Sequence, residues 1–431
     1  MTKTERPGLL WKRGFSSTVA IWEHEPDVDV ISKVVQKTLS LSSDECKVSF
    51  LDSGAINRAY AVQVKDEKNK YIMRVSLPLD PKNKTASEVA THKWLRLNCT
   101  AIPVPEIIAF DDSNKNPIGY EWILMQYMPG QCLYDKWRKI PWEDKIALVK
   151  KVVDCQMELM KSTFKTIGSL RETEARIAPG HCVTPYFTVG DKFDYIVPRG
   201  PFDSSCDWIR ARAMILIHAK IAKIVKPEGD EDSEEGEEGE DDDDDDEDLE
   251  DIEADLHTSE RLCKTAPLVF PEESECTVLQ HMDLSLRNMM VDEKNQLSGI
   301  IDWEFAMAVP LWVAAELPKF LKGTGEECDR RPNPNSFASL DGDSDKSGEG
   351  LDNEGLNSEY WHELMDYETT QLRKVYNGYM VERLCPDACE NSGVKNDYIE
   401  TLSYCDRGHY IGRIEHWLDR IKRGKFRRFK K

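Results

Sequence analysis

The sequence predicts an α+β chain of two lobes, β-rich towards the N-terminus and α-rich beyond it. Three observations carry that reading. Residues 47–128 contain runs that alternate apolar and polar side chains or are continuously apolar: KVSFLDSGAINRAYAVQV, YIMRV and YEWILMQYM. Stretches with helical spacing of apolar residues dominate after residue 200, notably DWIRARAMILIHAKIAKIV and EYWHELMDYETTQLRKVYNGYMVERL. Between these helical stretches lies a short polar and apolar block, HMDLSLRNMMVDEKNQLSGIIDWE, at 281–304. The chain thus divides into an N-terminal extension (1–44), a small lobe (45–125) and a large lobe (126–431).

In order along the chain, the alternation in 47–64 gives two strands joined by a small-residue turn at Ser53-Gly54. Gly54, lacking Cβ, lets backbone N–H groups approach a phosphate closely. YIMRV is an apolar strand with one cation, Arg74, inside it. A charge in a buried run is costly unless paired. The next helical stretch, SEVATHKWLRL, offers a partner in Glu88 and places Val89, Trp94, Leu95 and Leu97 near one face. YEWILMQYM (120–128) reads as a buried strand that stops at Pro129-Gly130.

The block at 281–304 is the richest. HMDLSLRN fits a tight loop anchored by Leu284 and Leu286, and MMV and LSGII read as a hairpin around the polar turn DEKNQ. Asp302 then follows a strand end, exposed yet rigidly held. An aspartate (Asp283), an asparagine five residues on (Asn288) and a second aspartate (Asp302) form the set that phosphoryl transfer needs. Two groups hold magnesium on a nucleoside triphosphate, and a carboxylate faces an incoming hydroxyl; the protein's work is positioning and charge neutralisation. His281 reads as a loop support rather than a reacting group.

Composition limits the alternatives. Net charge is −22, but residues 228–255 hold 21 acidic side chains and no basic ones, which leaves about −1 for the rest. Such a run buries no apolar surface and repels itself, so 226–256 is expected to be a disordered insertion, and the Gly-, Ser- and Asp-rich 323–357 a flexible one. No run of 18 apolar residues exists, so no transmembrane segment is expected. Twelve cysteines lie dispersed, with only a lone CxxxC at Cys385 and Cys389, which suggests free thiols rather than a zinc site. The N-terminus, with Lys3, Arg6, Lys12 and Arg13 against one acid, mildly resembles a mitochondrial presequence, so the cytoplasm is the expected location and the mitochondrion its alternative. The terminal IKRGKFRRFKK is expected to be a solvated tail, with no nucleic-acid partner.

At this point a family resemblance enters. HxDxxxxN and IDWE, with SGAINRAYAV, YIMRVSLP, SEVATHKWLR, IPVPEIIAF and NPIGYEWILMQYMPG in order upstream, resemble the aminoglycoside phosphotransferase family in its fungal branch. The resemblance implies a protein-kinase-like two-lobed fold that binds ATP and Mg²⁺ and phosphorylates a small-molecule hydroxyl. It implies Asp283 as the group that orients or deprotonates that hydroxyl, Asn288 and Asp302 as metal ligands, and Arg74, set by Glu88, as the holder of the phosphates. Arg74 stands where the family's bacterial members carry Lys. Ser53, Gly54 and Asn57 fall in the loop that covers the phosphates, and the backbone near Gln126 to Met128 in the hinge that meets adenine. A nucleotide-binding pseudoenzyme or scaffold is the alternative, motivated by Arg74 and the long insertion. A protein kinase is disfavoured because no DFG or APE-type segment is present. A monomer or weak homo-oligomer is expected.

Overall fold

The computed structural model describes residues 4–13, 18–65, 70–225, 248–323, 327–336, 358–383 and 392–430. The chain opens with a hairpin, β1 (Leu9–Arg13) and β2 (Thr18–Trp22), followed by α1 (Val28–Leu39), which Asp27 caps through its side chain. Next come β3 (Cys46–Ser53), β4 (Asn57–Val64) and β5 (Lys70–Ser76), then α2 (Asn83–Asn98), β6 (Ile107–Asp111) and β7 (Glu121–Gln126). The five strands form one antiparallel sheet in the order β3-β4-β5-β7-β6, which is the body of the small lobe. Val62, Met73, Val75 and Leu124 pack against Ile31 and Val35 of α1, so the extension before residue 45 is built into this lobe's core.

The chain crosses to the large lobe through β8 (Gln131–Cys132) and α3 (Leu133–Lys136). At the crossing a Cβ on Gly130, whose φ is +112°, would come within 2.4 Å of the Val291 carbonyl oxygen, so only glycine fits there. The long α4 (Trp142–Met160) leads to β9 (Thr163–Phe164), β10 (Gly168–Glu172), β11 (Ile177–Pro179) and α5 (Pro185–Thr188). Then follow α6 (Ser205–Val225), α7 (Leu249–Thr265), β12 (Thr277–Gln280), and the hairpin β13 (Met289–Val291) and β14 (Leu297–Ile300). The lobe ends with β15 (Met307–Pro310), α8 (Leu311–Ala314), α9 (Lys319–Lys322), α10 (Ser358–Val381), α11 (Ser392–Asp406) and α12 (Ile411–Lys422). Met289, Val291 and Ile300 of the hairpin bury themselves in one core with Val149, Val152 and Val153 of α4. The expected α+β division into a β-rich and an α-rich lobe is what the chain adopts.

Four expectations need correction. The acidic stretch was expected to stay irregular to 256, yet a helix begins at Leu249. Glu250 and Asp251 sit in its first turn, where the helix dipole favours anions, and Asp255 is buried against Lys220 of α6. Residues 226–247 lie outside the described residues, as do 324–326 and 337–357 of the stretch expected to be flexible and the pair Cys385 and Cys389. Within that second stretch, 327–336 is tied to α10: Cys328 N–H donates to Thr370 Oγ1 (3.0 Å) and Lys374 pairs with Asp329 (2.6 Å). Third, the basic C-terminus is docked. Arg428 grips the Asp397 carboxylate with Nε and Nη2 at 2.7 and 2.8 Å, and Trp417 Nε1 donates to the Arg427 carbonyl at 2.7 Å. Fourth, Leu97 is 76% exposed, since it lies on the outer side of the last turn of α2, while Val89, Trp94 and Leu95 are buried as expected.

The N-terminal arm also joins the lobes. Arg6 is buried, and its guanidinium donates to the carbonyls of Leu79 in the small lobe and of Thr188 and Gly190 in the large one, at 3.2, 2.8 and 2.8 Å. Phe193 and Trp11 lie against it at 4.9 and 5.1 Å. Arg6→Ala leaves three carbonyls without their donor, which at 1–3 kcal/mol for an unsatisfied buried group predicts a loss of about 2 kcal/mol or more. Chemical denaturation of the variant beside the parent checks it; an unchanged midpoint would remove the arm from the fold's energetics.

Candidate functional site

The site assembles around the loop between β12 and β13. His281 ends the strand and is buried. Its Nε2–H donates to the Ile301 carbonyl (3.0 Å), and its Nδ1 accepts the Asp283 N–H (3.2 Å). These bonds fix the neutral tautomer, and burial lowers its pKa, so the ring braces the loop without charge. Trp303, whose ring lies 4.7 Å from the imidazole, closes the underside. Asn288 Nδ2 donates to the Asp283 carbonyl (2.7 Å), and Ile301 N–H donates to the Asn288 carbonyl (2.9 Å). Asp283, Asn288 and Asp302 are thereby linked through main-chain hydrogen bonds into one constellation. Asp302 adopts φ +62°, a left-handed conformation that aspartate tolerates better than most residues, and this turns its carboxylate towards the small lobe.

There Asp302 meets Arg74. The guanidinium spans two carboxylates, Nη1 to Asp302 Oδ1 at 3.1 Å and Nη2 to Glu88 Oε2 of α2. Burial works against its charge, but Glu88, Glu304 and Asp302 outweigh burial and hold Arg74 above its ordinary pKa. For Asp302, burial together with the neighbouring Glu304 prevails over the pull of Arg74 and pushes the carboxyl up to about 8.

Two residues of this network are not evident from the motifs. Lys84 lies one turn before Glu88 on the same face of α2, and its side chain is 1% exposed. Its Nζ pairs with Glu304 Oε2 at 2.8 Å and lies 3.4 Å from Asn57 Oδ1 and from Ser76 Oγ. Burial raises the Glu304 carboxyl, but Lys84 and Arg74 more than reverse this and hold it below its ordinary value. Asn57 donates to Glu304 Oε2 (2.9 Å) and accepts from Ser76 Oγ (2.7 Å), so it belongs to this polar network rather than to the open loop. The available signal was the i,i+4 pairing of Lys84 with Glu88 and the acid two residues after Asp302.

The remaining positions divide. Ser53 ends β3, paired with Arg58, and Gly54 opens the turn to β4, where its N–H donates to the Asn57 carbonyl and an added Cβ would meet nothing closer than 3.9 Å. At the expected hinge, the Gln126 and Tyr127 N–H groups are committed to the carbonyls of Glu106 and Lys70 (2.8 and 3.0 Å). The main-chain N–H of Gln126 is therefore not free for a ligand, and Met128, packed beside Gly299, is the next position along after Tyr127. Among the described residues, no group of three or more His, Cys, Asp and Glu is arranged to hold a metal alone. Magnesium in phosphate-transfer sites takes only one or two carboxylates beside water and phosphate oxygens. Asn288 Oδ1 and Asp302 Oδ2 fit that need, because the bonds described engage the other polar atom of each side chain.

With this geometry established, the match of the phosphotransferase enzyme family (APH) model to residues 47–155 and 211–313 assigns the chain. It belongs to that family. It is similar to the subtelomeric hrmA-associated cluster protein of Aspergillus fumigatus, 23% identical over 343 residues, covering 72% of this chain and 66% of that protein. It is also similar to altered inheritance of mitochondria protein 9, mitochondrial, of Yarrowia lipolytica, 28% identical over 211 residues, covering 41% of this chain and 36% of that protein. The chain thus spans less than two thirds of the length of these curated relatives. Among solved structures it is similar to the GDP complex of wild-type aminoglycoside 2'-phosphotransferase-IIIa (14% identity, 88% of this chain and 98% of that one, TM-score 0.37). It is likewise similar to Plasmodium vivax ethanolamine kinase (12% identity, 94% and 85%, TM-score 0.42).

Lys84→Met strands the buried Glu304 carboxylate. Breaking such a pair from one side costs about 3–5 kcal/mol, whereas the double change with Glu304→Gln should recover a good part of the loss. A double-mutant cycle by denaturation measures this; additive losses would show that the two side chains do not act as a pair.

Proposed function

We propose that this chain transfers the γ-phosphoryl group of ATP to a hydroxyl of a small molecule, with Mg²⁺ as cofactor. The observation that carries the reading is the hydrogen-bonded linkage of Asp283 and Asn288 with His281 and Ile301, next to Asp302, which itself pairs with Arg74. In the proposed reaction the acceptor oxygen bonds to the γ-phosphorus, the bond to the bridging oxygen breaks, and ADP leaves. The acceptor proton passes to Asp283. Asn288 and Asp302 would hold magnesium, which when bound neutralises charge on the phosphate oxygens. Arg74, which spans Glu88 and Asp302, is the cation that would meet the phosphates. The turn at Ser53-Gly54 leaves open space where a Cβ would otherwise project, which suits a backbone cradle over them. Adenine would lie along the backbone at Met128.

One observation favours a second reading, a nucleotide-binding pseudoenzyme or scaffold of the same fold. Arg74 is already engaged by two carboxylates, and nucleotide must compete with them. On location, relatives named as mitochondrial favour the mitochondrion over the cytoplasm. No helix among the described residues is long and apolar enough to cross a membrane.

Asp283→Asn is expected to lower turnover about 10²–10⁴-fold, the usual worth of a positioned base, while nucleotide affinity stays within a few-fold. Asp302→Ala is expected to weaken magnesium-dependent nucleotide binding by about tenfold or more. ADP release against a panel of hydroxyl compounds, with nucleotide titrations at fixed Mg²⁺, reads both. Full rate in Asp283→Asn would refute the assigned base, and magnesium-dependent ATP binding without any turnover in the parent would favour the scaffold.

A further inference from the structure

Asp283 has a cation of its own. The Lys319 ammonium lies 2.8 Å from Asp283 Oδ1. That oxygen is sealed from solvent and accepts no hydrogen bond, so the ion pair with Lys319 is its one polar contact described, while the Asp283 side chain as a whole is 48% exposed, which leaves Oδ2 as the open part of the carboxylate. A lysine that is itself 63% exposed usually makes a surface pair of little consequence. Its mounting argues otherwise here. Lys319 begins α9, and the next residue, Phe320, donates its N–H to the carbonyl of Leu284, the neighbour of Asp283 (3.2 Å). The Phe320 ring packs edge-on against Trp137 at 6.4 Å. The other end of α9 is pinned from α10, where Arg373 Nε and Nη2 donate to the Leu321 and Lys322 carbonyls, each at 2.6 Å. The helix is thus fixed to the loop that carries Asp283, and Lys319 is delivered to one chosen oxygen.

We propose that Lys319 is a positioning residue for Asp283. It holds Oδ1, keeps the carboxylate aimed, and presents Oδ2 to the acceptor hydroxyl. This rests on the phosphotransferase reading above. In the transfer, the proton leaves the acceptor oxygen for Oδ2, and Lys319 takes no part in the proton's movement.

The test uses the full chain and needs no knowledge of the acceptor, because ADP release can be followed with water and with a hydroxyl-compound panel. Lys319→Ala is expected to lower kcat by about 10²-fold, the cost of a misplaced reacting group, with the KM for ATP within twofold and the thermal midpoint unchanged. Lys319→Arg should recover part of the rate. Lys322→Ala, on the same helix, which removes a pair with Glu316 of the preceding loop, should leave turnover within twofold of the parent. If Asp283→Asn is inactive and Lys319→Ala runs at the parent's rate, the clamp is refuted and the phosphotransferase reading stands. If Asp283→Asn is fully active, or the parent releases no ADP under any condition, both fall. A loss shared equally by Lys319→Ala and Lys322→Ala would mean that α9 acts only through its fold, and that too overturns the clamp.

Discussion

The site depends on a run of buried charges in which signs alternate from α2 to the loop after β14. Lys84 faces Glu304, and Arg74 faces Glu88 and Asp302. Taking such groups out of water is expensive, and an incomplete set would cost more than an apolar core. The arrangement is therefore all or nothing. Helix geometry supplies one side, because residues four apart lie on one face about 5–6 Å from each other. A loop shaped by positive φ at Asp302 (+62°) and Phe305 (+61°) supplies the other. Together they lock α2, the end of β5 and the Asp302 loop into a single relative position, which the proposed metal ligand and phosphate-facing cation would require of one another.

The second constraint is main-chain. His281 spends one ring nitrogen on Ile301 and the other on Asp283 N–H, so the loop of Asp283 and the strand end before Asp302 share one neutral brace. Burial disfavours the imidazolium, and a second ring proton would turn an acceptor into a donor facing an N–H group. The brace works only uncharged, which agrees with its structural reading from sequence.

What could be read from sequence was what is local. D-x4-N, the strand-terminal Asp302, the hairpin at 289–300, and Arg74 in search of Glu88 all lie in short windows where periodicity and spacing speak directly. Lys84–Glu304 and Lys319–Asp283 were not legible, because each joins residues far apart in sequence through contacts that only the tertiary fold creates. The C-terminal tail misled for the same reason: the partner of Arg428 is Asp397, on a separate helix, and a basic run read alone appears solvated. The commitment of the Gln126 main-chain N–H to Glu106 was hidden for a like reason, since pairing partners are invisible in a single strand's sequence. Helix α7 shows the reverse error, where acidic composition hid an amphipathic face bearing Ile252, Asp255 and Leu262.

The presence of arginine in β5 follows from the same charge pattern. A guanidinium can hold two carboxylates that approach from different elements, one on each Nη, whereas an ammonium is a point charge with no such fork. Glu88 comes from a helix and Asp302 from a loop, and Arg74 bridges them in the plane of its fork. Counting the cluster, two cations face three carboxylates. Of those three, the Glu88 and Glu304 side chains are 0% and 12% exposed, while Asp302 retains 32%. The cluster holds one acid more than it has cations, and the surplus falls on Asp302, whose carboxyl is raised accordingly. A divalent cation beside Asp302 would supply the missing positive charge and favour its ionised form, next to the guanidinium of Arg74.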